Sequence, residues 1–314
     1  MIILSMREYT GRIVLKMIKL KGELSFLPYT IPLHFGVTGA GNVASKYCLH
    51  FRTCSGYPVL GNLPQDEIMR RNTMQAVLEI KNFTKEYSQG KKAVDNLSLS
   101  IMPGEIHGFI GHNGAGKTTT IRAVVGVMGF NKGEILIDGH SAKNEPVKCK
   151  LLTAYIPDNP DLYDYITGIQ YLNYMADMFS VDREHREERI KKYAELFGIT
   201  DSLGNLVSSY SHGMKQKLAL IGAFLHEPKL LVLDEPFVGL DPEAAFHLKQ
   251  IMRDLCNQGS AIFFSTHVLD VAEKLCDKVS IIKQGNLIIS GSMEAVRGSG
   301  SLEDVFMEVV ENEK

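Results

Sequence analysis

The chain has 314 residues, 45% apolar and 22% charged, a composition that suits a soluble globular protein of one large domain or two and leaves ample length for a buried core. A formal charge of −2 gives no polybasic footprint, so nucleic acid has no electrostatic support as a partner. Five cysteines (Cys48, Cys54, Cys149, Cys256, Cys276) are odd in number and lack C-x-x-C spacing, which speaks against a disulfide framework and a zinc site and fits a reducing cytosol.

Residues 1–73 show neither helical nor alternating periodicity over a useful window and end in a polar linker, "PQDEIMRRNTMQ". Leu24 to Ser45 is free of Lys, Arg, Asp and Glu, but Pro28, Pro32, Gly36, Gly39, Gly41 and Asn42 keep it short of the ~20 apolar residues a spanning helix needs. Arg7, Glu8, Arg12, Lys16 and Lys19 interrupt every apolar run that could serve a signal peptide. The segment is therefore left unassigned: a poorly ordered extension, or the product of a start placed ahead of Met74. The cysteine pair in "KYCLHFRTC" is poor support for a metal or enzyme module.

From Ala76 the punctuation becomes regular. "AVLEIKNFTKEY" and "NLSLSI" alternate as half-buried strands do, while "IHGFI" (106–110), "LLVL" (230–233) and "AIFF" (261–264) are short, wholly apolar runs that suit parallel strands buried on both faces. Between them, residues 160–225 carry helical periodicity in "ITGIQYLNYMADMF" and "REERIKKYAELFGI", which predicts an inserted helical subdomain. "KVSIIKQGNLIISG" reads as a strand pair with hairpin chemistry at Gln-Gly-Asn. Residues 291–314 form a tail whose "SLEDVFMEVV" has Ser301 and Asp304 in capping-box spacing and Leu302, Val305, Phe306 and Val309 on one helical face.

Polar motifs follow the apolar runs, where open α/β sheets bind ligands. "GHNGAGKT" (111–118) lies between a strand and a helical pattern and matches the phosphate-loop spacing. Gly114 and Gly116 let backbone N–H groups reach phosphate oxygens, Lys117 neutralises β and γ charge, and Thr118 is placed to put its hydroxyl on Mg²⁺. "LLVLDEP" ends a buried strand in Asp234 and Glu235, one suited to hold Mg²⁺ and the other to orient and deprotonate water; a helix N-cap pair ahead of Pro236 is the plainer reading of the two acids alone. "YSHGMKQKL" (210–218) is a second anion-binding turn, with Ser211 and Gly213 opening a helix.

These motifs together resemble the nucleotide-binding domain of the ATP-binding cassette (ABC) superfamily, over residues 76 to about 290. The order is Walker A "GHNGAGKTT", signature "YSHGMKQ", Walker B "LLVLDE", D-loop "GLDP" and switch histidine "STH". The resemblance implies an α/β P-loop NTPase core with a mixed sheet, an antiparallel β-subdomain and the inserted helical subdomain, spanning residues 74–290. It implies ATP and Mg²⁺ as cofactors, with Gly111, Asn113, Gly114, Gly116, Lys117, Thr118 and Thr119 around the phosphates and Thr118, Asp234 and Asp158 toward the metal. Glu235 and His267 act at the γ-phosphate. Tyr87 stands where the family stacks an aromatic on adenine, ordinary packing being the even alternative. Ser211, Gly213 and Asp241 serve the nucleotide of a second cassette, in a homodimer or with a paralogue. Two departures stand out: His212 in the signature, and Asp158 where the family has Gln. The variant signature and the tail resemble exporter ATPases that power a separate transmembrane permease from the cytoplasmic face of the membrane; a soluble assembly-type ATPase is the alternative.

Overall fold

The computed structural model describes residues 2–9, 12–19, 75–87 and 90–311. The chain divides into two units, Met1–Leu63 and Pro64–Lys314. In the first, β1 (Ile2–Tyr9) and β2 (Arg12–Lys19) pair antiparallel from Ile2↔Lys19 to Tyr9↔Arg12. This hairpin corrects the sequence reading, which found no periodicity there: charged residues at 7, 8, 12, 16 and 19 break every window long enough to count. The expected linker, the Leu24–Ser45 stretch and "KYCLHFRTC" lie outside the described residues.

The second unit is built on two sheets. β3 (Leu78–Glu86), β4 (Lys92–Ile101), β6 (Lys132–Ile137) and the two-residue β7 (His140–Ser141) form an antiparallel sheet in the order β4-β3-β6-β7. The larger sheet runs β12-β11-β5-β10-β9-β8. Its strands are β5 (Ile106–Ile110), β8 (Thr153–Ile156), β9 (Leu230–Asp234), β10 (Ala261–Thr266), β11 (Lys278–Lys283) and β12 (Asn286–Ser292). All of these run parallel except the edge strand β12. The β11–β12 turn has φ of 47° at Gln284 and 82° at Gly285, the left-handed pair a two-residue hairpin needs.

Because successive side chains of a strand alternate, the central strands feed two cores. Leu231, Leu233, Ile262 and Phe264 join the core on the helical side. Val232, Phe109 and Phe263 join a core shared with the antiparallel sheet and with α1 (Lys117–Val124), through Ile121 and Val124. Between β7 and β8 lies α2 (Pro146–Leu152), and neither it nor the four-residue "TAYI" of β8 carries enough pattern to be foreseen.

The expected helical insertion is α3 (Gly168–Met178), α4 (Arg183–Leu196) and α5 (His212–Phe224). Thr167 and Gln170 close a capping box at α3, and Asp182 and Ser211 cap α4 and α5. After α6 (Pro242–Asn257) and α7 (Leu269–Leu275), the tail folds as α8 (Met293–Arg297) and α9 (Leu302–Glu311). Ser301 and Asp304 exchange the capping bonds that their spacing predicts, at 3.0 and 3.1 Å, and Leu302 is fully buried with Val305, Phe306 and Val309 packed on the same core.

Candidate active site

The loop 111–116 leaves β5 and enters α1, and its glycines are needed for different reasons. Gly116 has φ 113°, and a Cβ there would lie 2.7 Å from the Ala93 carbonyl oxygen; at Gly111 it would lie 2.5 Å from that of Ile282. Gly114 has φ 82° and open space beside it, so its bare backbone leaves room for a ligand. Among the described residues the N–H groups of Gly114, Gly116, Lys117, Thr118 and Thr119 donate to no protein acceptor. Five unpaired donors at a helix start make an anion cradle. The Lys117 ammonium is buried against it, donating to the carbonyls of Gly111 (2.7 Å) and His112 (3.4 Å).

Opposite the loop stand the acids. Asp234 ends β9 and is 4% exposed. Glu235 follows in the left-handed region (φ 50°), a strained conformation for a non-glycine residue that turns its carboxylate back toward the loop. Its Oε1 lies 3.7 Å from Lys117 Nζ and its Oε2 lies 3.0 Å from Nδ1 of His267, whose backbone N–H donates to the same oxygen at 3.3 Å. Asp158, just past β8, closes the wall. Asn113, Gly114, Gly116, Lys117, Thr118, Thr119, Asp158, Asp234 and Glu235 thus line one pocket of about 220 Å³.

Gly111 lies beneath this pocket and His267 reaches it through Glu235. Tyr87 stands at its edge, half exposed, with its hydroxyl 3.5 Å from Thr119 Oγ1 and bonded to the Met128 sulfur. Such exposure does not suit ordinary core packing. Ser211, Gly213 and Asp241 gather elsewhere, and none of them lines the pocket. A Cβ at Gly213 would lie 2.8 Å from the Gly239 carbonyl oxygen, and Lys217 pairs with Asp241 at 2.6 Å. The Lys217 ammonium and the Ala244 N–H, which Asp241 caps, hold the Asp241 carboxyl below its usual range.

The donor set suits a hard cation. Thr118, Asp158 and Asp234 offer oxygen only, and among the described residues no group of three His, Cys, Asp or Glu forms a self-contained metal site. An ion here must complete its shell with water and phosphate oxygens, which is how Mg²⁺ binds in nucleotide sites. Two residues escaped the sequence reading. Ser265, fully buried, bonds to Asp234 and Glu235, and its one signal was a hydroxyl closing an apolar strand. Lys217 carries no sequence signal beyond a charge on a helix.

A strand-to-helix phosphate cradle, a buried lysine and two consecutive acids at the end of one strand, lining the same pocket, define a phosphate-loop nucleoside triphosphatase. Residues 94–238 match the family model described as ABC transporter. The chain is 42% identical over 219 residues, 68% of its length and 70% of the relative's, to the uncharacterized ABC transporter ATP-binding protein YhcH of Bacillus subtilis (strain 168). It is 31% identical to the linearmycin resistance ATP-binding protein LnrL of the same organism, over 69% of each chain. A solved structure of the ATP binding subunit of an ABC transporter is 32% identical and superposes with a TM-score of 0.73 over 75% of this chain and all of that one. The chain belongs to the ABC transporter ATP-binding proteins: it binds and hydrolyses ATP as a subunit of such a transporter.

Proposed function

We propose that the chain drives a separate transmembrane permease, most simply an exporter, by closing on a second nucleotide-binding chain when ATP is bound and parting from it after hydrolysis. The observation that carries this reading is the separation of the two anion turns. The signature turn at Ser211 and Gly213 stands apart from the chain's own phosphate pocket, so each copy has a cradle lacking a lid and a lid lacking a cradle. Head-to-tail pairing with a homologous chain satisfies both.

Within a closed pair, the loop N–H groups and Lys117 hold the phosphates, Tyr87 offers its half-exposed ring to adenine, and Ser211 and Gly213 of the other copy face the γ-phosphate. Thr118, Asp234 and Asp158 would hold Mg²⁺, which would supply charge neutralisation at the phosphate oxygens. Glu235 accepts a proton from the attacking water at Oε1 or Oε2, its carboxylate aimed from both sides by Lys117 and His267. Asp241, capping α6 and paired with Lys217, stands beside the signature turn and passes the state of one pocket to the other.

Support for a membrane partner comes from a second, mostly apolar cleft of about 370 Å³ between β8 and helices α3 and α5, walled by Tyr155, Pro160, Leu162, Met175 and Met178. Tyr163, Tyr165 and Tyr174 are exposed nearby. Among the described residues no helix is long and apolar enough to cross a membrane; in this reading a partner supplies the span and holds this chain to the membrane's cytoplasmic face. The name of LnrL favours export over import.

The test is Glu235→Gln, which keeps the size of the side chain and removes the base. The variant is expected to bind ATP and remain paired in size-exclusion chromatography with light scattering, with turnover down about 100-fold or more. Normal turnover defeats the assignment. Co-purification of the tagged chain from detergent-solubilised membranes is expected to bring down a multi-span protein in stoichiometric amount; recovery only with soluble assembly factors favours the alternative.

A further inference from the structure

We infer that Ser265 is a positioning residue for both acids of the site, setting which oxygen of Asp234 is free for the metal and where Glu235 stands. The inference rests on the reading that Asp234 faces Mg²⁺. Strands β9 and β10 run parallel with Ser265 opposite Asp234 in register. Alternation places Asp234 on the same side as Val232, and Ser265 on the same side as Phe263. That side carries the core shared with α1 and the phosphate loop.

Ser265 is 0% exposed, and the four residues before it in β10 are Ala, Ile, Phe and Phe. A hydroxyl there is costly to bury unless its bonds are made. It makes them in one direction only. Ser265 Oγ accepts from the Glu235 N–H at 3.2 Å, so its own proton is free to go to Asp234 Oδ1, to which it donates. The Ser265 carbonyl accepts from the same Glu235 N–H at 3.2 Å.

Two consequences follow. Asp234 Oδ1 is occupied, and among the described residues Oδ2 accepts no protein hydrogen bond, which leaves one oxygen for a cation. The Glu235 backbone is clamped in its left-handed conformation by two acceptors of a single residue. His267, two positions on, holds the Glu235 carboxylate. One strand end therefore fixes the metal-facing acid, the base's backbone and the base's carboxylate.

The test uses the purified full chain and a fluorescent ATP analogue, titrated in EDTA and again with Mg²⁺, alongside steady-state hydrolysis. Ser265→Ala is expected to leave affinity in EDTA within about two-fold, and to raise the Mg²⁺ needed for half-maximal binding and turnover by about ten-fold, as loss of a partner to a metal ligand does. The effect should fall on kcat more than on KM, and Ser265→Thr, which restores the hydroxyl, should recover most of it. In an Asp234→Asn background Ser265→Ala should add little, because the bond it removes is to that carboxylate. Wild-type Mg²⁺ dependence in Ser265→Ala, a parallel fall of affinity in EDTA, or full additivity with Asp234→Asn overturns the inference. Should the alanine variant fail to fold, Ser265→Cys, similar in size and a weak donor, carries the same comparison. If Mg²⁺ fails to tighten nucleotide binding in the wild type, the metal reading falls and takes the inference with it; if Mg²⁺ tightens the wild type and the variants alike, the inference alone falls.

Discussion

Protonation of His226 is expected to destabilise the domain as pH falls. The residue follows α5, and its ring stacks on Phe179 at the end of α3, centroids 3.6 Å apart and planes within 5°. Both ring nitrogens are shut off from solvent, and the backbone of Thr153 approaches the ring without completing a hydrogen bond of full geometry. Burial therefore pushes the imidazole from 6.5 down to about 4; the Thr153 backbone opposes this, and the Arg189 guanidinium, itself paired with Glu227 at 2.8 Å, adds to it. The folded value is depressed, so below pH 6.5 the unfolded chain takes up a proton that the native one refuses. Stability is complete above 6.5, falls as pH drops toward 4, and levels off below it; the whole loss is about 3 kcal/mol, of which about 2 kcal/mol is reached by pH 5. His226→Phe keeps the stack and cannot titrate. Urea unfolding followed by circular dichroism should give similar stabilities for parent and variant at pH 7.5, with the variant ahead by about 2 kcal/mol at pH 5. Curves that stay parallel across this range refute the reasoning, because every other titrating group is common to both chains.

Three further outcomes separate folding from ligand binding. Gly114→Ala meets no atom and should cost about 1 kcal/mol for its φ of 82° while abolishing nucleotide binding, read by denaturation and by fluorescent-nucleotide titration. Gly116→Ala drives a Cβ to 2.7 Å from the Ala93 carbonyl oxygen at φ 113° and should destabilise the fold itself, by about 2 kcal/mol or more in the same denaturation assay. Asp158→Gln removes one of three carboxylates facing the phosphates, and weaker repulsion of about 1 kcal/mol should tighten ATP binding about five-fold in EDTA, where no metal screens the charge.

The phosphate loop, both acids and His267 were legible in sequence because each follows an apolar run, and the end of a buried parallel strand is where such a sheet presents chemistry. The helical insertion was legible from its 3.6-residue period, and the tail helix from its cap. What escaped was of two kinds. β1 and β2 carry strand-forming Ile, Val and Tyr, but their charges fall at irregular intervals, and pairing, which a single-strand pattern cannot register, is what makes them a sheet. Ser265 and Lys217 escaped because their meaning lies in partners 31 and 24 residues away. Only the register of β9 on β10 brings Ser265 to Asp234, and only the turn after Glu235 brings Asp241 to α5.

That long-range pairing gives α5 a mechanical place between the pocket and the apolar cleft. Lys215 and Lys217 are two residues apart on a helix, so they project on nearly opposite sides. Lys215 holds Asp164, in the segment that runs from Asp158 to α3, at 2.7 Å; Lys217 holds Asp241, past Glu235, at 2.6 Å. The first segment begins at a carboxylate of the pocket and borders the cleft; the second begins at the base. Each pair is partly exposed and contributes little to stability on its own. In the proposed function their value is positional: with the helix packed on β8 and α3, its rigid-body shift would carry the Asp164 segment, the Ser211 turn and Asp241 together. A Cβ at Gly213 would meet the Gly239 carbonyl oxygen at 2.8 Å and one at Gly239 the His212 ring at 2.9 Å, so the Ser211 and Gly239 turns cannot separate without breaking that packing and the Lys217 pair. Under that reading, movement imposed at the cleft would be delivered to the two elements that a partner chain meets.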